Sequence, residues 1–165
     1  LISTPARRSR IVDAERPIGD VANERTWKVY RKLLKRGASI DDDTPAEALH
    51  ELRKTCKKLR YLLEFFRSLY PRKRIDKAIK ILKGLQDMLG TFQDLEVQQD
   101  TLREYANQMM EEGNIPSETL IAMGMTVERL HLRQQQTRDR FAAQFNEFSN
   151  SANRRLFQRL FRPAN

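Results

Sequence analysis

The sequence predicts an all-α protein, a four-helix bundle of long antiparallel helices with a short extra helix at the C-terminal end. Two observations carry that prediction. Apolar residues recur at helical spacing in several long segments, with no strand-like alternation. The punctuation between those segments is sparse, with only 6 Gly and 6 Pro among 165 residues.

Residues 1–16 show no clean period and contain Pro5, so they read as a basic tail or linker, with Arg7, Arg8 and Arg10. The remainder, 17–165, is of a size for one helical domain with its own core. The chain opens on Leu1 and not on Met, which fits a piece of a longer protein. In residues 21–36, Val21, Trp27, Tyr30, Leu33 and Leu34 gather on one side of a helix that Gly37 is placed to stop. Thr44, Pro45 and Glu47 then form a start signal: a capping hydroxyl, a proline at the first helical position and a carboxylate in the first turn. The helix they open carries Leu49, Leu52, Cys56, Leu59, Leu63 and Phe66 at alternating steps of three and four and ends near Pro71.

After Pro71, Ile75, Ile79, Leu82, Leu85 and Leu89 make a further inward stripe. A helical pattern through Phe92, Leu95, Val97, Leu102 and Tyr105 continues it, and Gly90 either ends a helix there or bends one. Gly113 to Pro116 read as a loop. A fourth helix follows from Ser117 to about residue 149, with Ile121, Met125, Leu130, Phe141, Phe145 and Phe148; Leu156, Phe157, Leu160 and Phe161 belong to the short last one.

Composition narrows the function. The net charge is +9, and 12 of the 31 Lys and Arg but only three of the 22 acids fall between His50 and Lys83, so that segment carries the whole excess. Such a balance favours partners rich in phosphate. One cysteine allows no intrachain disulfide and no cysteine-cluster metal site, and fits a reducing cytoplasmic compartment. No segment approaches the roughly 20 apolar residues that cross a bilayer. At 100° per residue, His50, Arg53, Lys54, Lys57, Arg60 and Tyr61 share a broad sector opposite the apolar seam. Cations spaced by four repel one another, and a bound polyanion relieves that repulsion while releasing counterions.

The string Leu49, His50, Glu51, Leu52, Arg53, Lys54, with Lys57, Lys58, Leu59, Arg60, Tyr61 and Glu64, resembles the signature helix of the CHAD domain, the conserved histidine α-helical domain. Leu85, Gln86, Asp87, Leu89, Gly90, Asp94 and Val97 resemble the element after it, and Arg138, Arg140, Phe141, Phe145 and Phe148 its closing helix, so that the resemblance runs over residues 20–162. With a single basic histidine helix, the chain resembles the C-terminal half of a domain built from two related bundles. The resemblance implies a non-catalytic helical domain that binds inorganic polyphosphate, in some proteins joined to a triphosphate-hydrolysing domain, in the cytoplasm or at polyphosphate granules. The ligand set it points to is His50, Arg53, Lys54, Lys57, Lys58 and Arg60, with Tyr61 as a hydrogen-bond donor and Lys80 and Lys83 on a second wall. Gln93 stands where a basic residue is usual and takes no ligand role.

Competing readings are an RNA-binding module, an adaptor for an acidic protein, and a phosphate-ester enzyme. The basic segment offers Tyr61, Phe65, Phe66 and Tyr70 but no nucleic-acid motif. No phosphate-cradling glycine loop is present, neither His50 nor His131 has a sequence partner for catalysis, and Asp41 to Asp43 suit a loop before a helix better than a magnesium site. No cofactor and no metal are expected.

Overall fold

A computed structural model describes residues 16–113 and 115–163, so the proposed tail, 1–16, lies outside the described residues but for Arg16. Among the described residues the chain is an all-α bundle of six α-helices joined by short links: α1 (Ile18–Ala38), α2 (Ala46–Phe65), α3 (Arg72–Glu112), α4 (Ser117–Asp139), α5 (Phe141–Phe148) and α6 (Ser151–Phe161). No strand occurs among the described residues.

Short connections force neighbouring helices to run antiparallel, and cross-helix bonds fix their register. Arg36 near the end of α1 donates to Thr55 Oγ1 of α2 at 2.8 Å, and Tyr70, beyond α2, donates to Asn23 Oδ1 near the start of α1 at 2.8 Å. His50 at the start of α2 meets Glu96 well along α3 at 2.5 Å, while Arg67 after α2 meets Asp76 at the start of α3 at 2.8 Å. In the body, α1 packs on α2, α2 on the near half of α3, and α6 on both α3 and α1, which closes the ring.

The core inside that ring follows the expected seam: Leu49, Leu52, Cys56, Leu59 and Leu63 of α2 face Ile75, Leu82, Leu85 and Leu89 of α3, all at most 1% exposed. Tyr30 stacks on Phe157 with centroids 4.3 Å apart, and Phe148 packs edge-on to both. Burial opposes ionisation of the Tyr30 phenol and pushes its pKa up to about 12.

Three expectations are corrected, and the choice left open at Gly90 is narrowed. The fourth helix is divided: α4 ends at Asp139, and α5 and α6 supply the fourth side of the ring. Gly90 neither ends nor starts a helix, for α3 is continuous over 41 residues, roughly 60 Å at 1.5 Å per residue. Gly37 does not stop α1, which runs to Ala38; it is buried against Phe145, whose ring occupies the space a Cβ would need. Thr44 is not the cap of α2. Its hydroxyl turns back into the loop, accepting from Asp41 N at 2.9 Å and donating to Asp41 Oδ1 at 2.6 Å, and Pro45 takes the position before the first helical residue. Arg138 of α4 covers the same loop by donating to the carbonyls of Asp41 and Thr44.

Caps that do form are local. Asn150 Oδ1 accepts from Asn153 N at 2.8 Å to open α6. Gly113 closes α3 at φ 86°, a left-handed conformation that a residue without Cβ adopts freely.

Candidate functional site

The cations of α2 project from a helix with a neighbour on each side, and this splits the sector read from the sequence into three rows. Lys54 and Lys58 lean toward α1 and line a groove between the two helices. Lys57 and Tyr61 stand on the crest, where they share a shallow hollow with Lys54 and Lys58; Tyr61 is 59% exposed. Arg53 and Arg60 fall on the edge toward α3 by helical periodicity, and Asp87 of α3 acts on Arg60 across that edge.

Several of these side chains already have anionic partners. His50 lies between two carboxylates, Nε2 2.5 Å from Glu96 and Nδ1 3.5 Å from Glu47, with only 20% of its side chain exposed. Its ring therefore ties the start of α2 to α3. Lys54 donates to Glu51 at 2.6 Å, and that bond is the main reason its pKa is raised and the Glu51 carboxyl is lowered. Arg60 donates to Glu64 at 2.8 Å. Mutual repulsion along α2 is thus partly relieved within the chain, more than the sequence reading allowed. Among the described residues, Arg53, Lys57 and Lys58 make no ion pair within 4 Å.

The residues expected on a second wall part company. Lys83 bonds Asp87 at 2.9 Å and so lies near Arg60. Lys80 stands on the other flank of α3, lining a hollow with Gly84, Gln144 and Glu147 beneath α5 and α6. A step of three residues leaves two side chains only about 60° apart around a helix, so the lysines are separated by what each meets, residues of α5 for Lys80 and Asp87 beside Arg60 for Lys83.

The CHAD domain family matches the chain over residues 1–103, taking in α1, α2 and most of α3. The chain belongs to the CHAD domain family. That CHAD match stops within α3, so the likeness of Arg138, Arg140, Phe141, Phe145 and Phe148 to a closing helix lies outside it. No curated protein matches the chain.

Sequence reasoning missed α1 as a contributor. Lys28, Lys32 and Arg36 recur every four residues and face α2 across a groove of about 510 Å³. Counting charge by segment hid them, because the acids at 41–43 cancel them in the sum although they sit elsewhere in space. Among the described residues no group of three or more His, Cys, Asp or Glu is placed to hold a metal ion, and no helix is long and apolar enough to cross a membrane. Cys56 is fully buried in the seam, and desolvation pushes its thiol up to about 12.

Proposed function

We propose that this CHAD domain binds polyanions without catalysing a reaction on them, and that inorganic polyphosphate is the foremost ligand. The observation that carries this reading is the density of cations on α2. Arg53, Lys54, Lys57, Lys58 and Arg60 lie within two turns, and among the described residues three of them have no carboxylate within ion-pair distance. Polyphosphate carries about one charge per phosphate and presents no base to read, so point-like ammonium groups and forked guanidinium groups on a rigid helix suffice for it. Tyr61 adds a hydroxyl donor on the crest, and Lys83 extends the positive field toward α3. His50 serves by holding α2 against α3. In this reading the protein works in the cytoplasm, in some settings beside a triphosphate-hydrolysing domain.

The test titrates fluorescent long-chain polyphosphate into the chain and into a variant carrying Arg53→Ala, Lys54→Ala, Lys57→Ala and Arg60→Ala, over a salt series and with tRNA as competitor. Binding that survives excess tRNA and collapses in the folded variant is the expected result. Displacement by tRNA turns the assignment to nucleic acid, and phosphate released from the polymer by the pure protein overturns the non-catalytic reading.

A further inference from the structure

We infer that the polyanion lies lengthwise in the groove between α1 and α2, gripped by two facing rows of cations, and that Glu51 is the internal anion it displaces. This rests on the polyanion reading and assigns its seat: α1, where the sequence pointed to α3, supplies the opposite wall.

Antiparallel packing builds the rows. Lys28, Lys32 and Arg36 follow one another on α1 at four-residue steps, each an advance of about 6 Å. Lys54 and Lys58 do the same on α2. Arg36 meets α2 at Glu51 and Thr55, so counting back along one helix and forward along the other sets Lys32 opposite Lys58. All five cations line the groove, whose floor is made by Val21, Val29 and Leu62. Among the described residues Lys28, Lys32 and Lys58 have no ion pair within 4 Å. A linear anion with regularly repeated charge fits two parallel rows; a single phosphate would engage only one rung. Among the described residues none that lines the groove is aromatic, so these offer no platform on which a base could stack.

Glu51 occupies one rung of this ladder. Its carboxylate lies 2.6 Å from Lys54 and 3.5 Å from Arg36. Arg36 is held independently by neutral acceptors, donating to Thr55 Oγ1 at 2.8 Å and to the Glu51 carbonyl at 3.1 Å. When the Glu51 carboxylate swings out, Arg36 stays aimed into the groove and Lys54 is released, so a phosphate takes over both charges without rebuilding the backbone. Glu24, the other carboxylate lining the groove, is held by Arg16 at 2.7 Å.

The experiment measures binding of labelled long-chain polyphosphate by four versions of this 165-residue chain whose folding is checked by circular dichroism and thermal melting. They are the wild type, Lys28→Ala with Lys32→Ala, Lys73→Ala with Lys77→Ala, and Glu51→Gln. The second double variant removes the same charge, at the same spacing, from an exposed stretch of α3. Loss of the α1 pair lowers affinity roughly tenfold and cuts the slope of log affinity against log salt by about two, on the scale known for nucleic-acid phosphates. The α3 pair changes both much less, and Glu51→Gln binds a few-fold tighter. Equal losses in the two double variants, or weaker binding by Glu51→Gln, overturn the groove assignment while leaving polyanion binding in place. A wild type that binds no polyphosphate overturns both.

Discussion

Leu82 and Leu85, on the near half of α3, are wholly buried, whereas Tyr105, Met109 and Met110 on the far half of the same unbroken helix are 55, 41 and 59% exposed. Bonds to α2 and its flank fall between Asp76 and Glu96 and Gly84 lies against Gln144 of α5, whereas farther along Gln99 ties the helix to Gln134 of α4. The same contrast appears along α4, where only Leu130 and Gln134 are buried, while Ile121, Met125 and Leu132 are more than half exposed. By helical periodicity those three lie on the side of α4 turned from α3. A pair of helices can bury one face of each and no more, so apolar spacing announces a helix without telling what will cover it.

The contrast predicts unequal costs for similar truncations. Leu59→Ala removes a fully buried side chain from the α2 seam and should destabilise the protein by about 2–5 kcal/mol. Ile121→Ala, at a residue 63% exposed, should change stability by about 0.5 kcal/mol or less. Urea unfolding of both variants measures the difference. Equal losses would mean that the outer side of α4 is covered in solution, and would break the division into body and arm.

A smaller effect sharpens the boundary between the two regions. Gln99 of α3 donates to Gln134 of α4 at 2.9 Å, a buried amide pair at the root of the arm, and also to its own helix at the Leu95 carbonyl at 3.2 Å. Gln134→Ala leaves Gln99 partly bonded, so the loss should fall near the low end of the range for an unsatisfied buried group, about 1 kcal/mol. Native-state hydrogen exchange should show faster opening of α4 and the far half of α3, with α2 unchanged. Faster exchange in α2 as well would show that arm and body open as one unit.

How far this was legible from the sequence follows the same division. The α2 seam from Leu49 to Leu63 was readable because every member is buried by neighbours on one side, the case in which period and burial coincide. The split of the fourth helix was not, since α4 and α5 meet at Arg140 without a glycine or proline to mark the break. At the site, the signature helix was readable and its surroundings were not. Whether Lys80 or Lys32 stands near Lys58 depends on which helices pack against α2 and in what register, information that lies in pairs such as Arg36 with Thr55 and Tyr70 with Asn23. His50, expected as a ligand, has its ring nitrogens 2.5 and 3.5 Å from two carboxylates, one of them 46 residues away on α3.

Gly90 gives the finest test, because it lies on α3 where the crowded body passes into the arm. Glycine inside a helix costs about 0.5–1 kcal/mol relative to alanine, through the extra freedom of the unfolded chain. Such a cost persists usefully where a Cβ would collide or where the backbone must leave the helical region. Neither condition holds here: α3 is regular through residue 90, and no atom that a Cβ would newly meet lies within 4 Å. Gly37 is the opposite case, with the Phe145 ring in the way. Gly90→Ala should therefore raise stability by about 0.5–1 kcal/mol in urea unfolding and leave polyphosphate binding unchanged. A destabilised Gly90→Ala would show that α3 bends at this point in solution, making the joint between body and arm a hinge with a conformational need of its own.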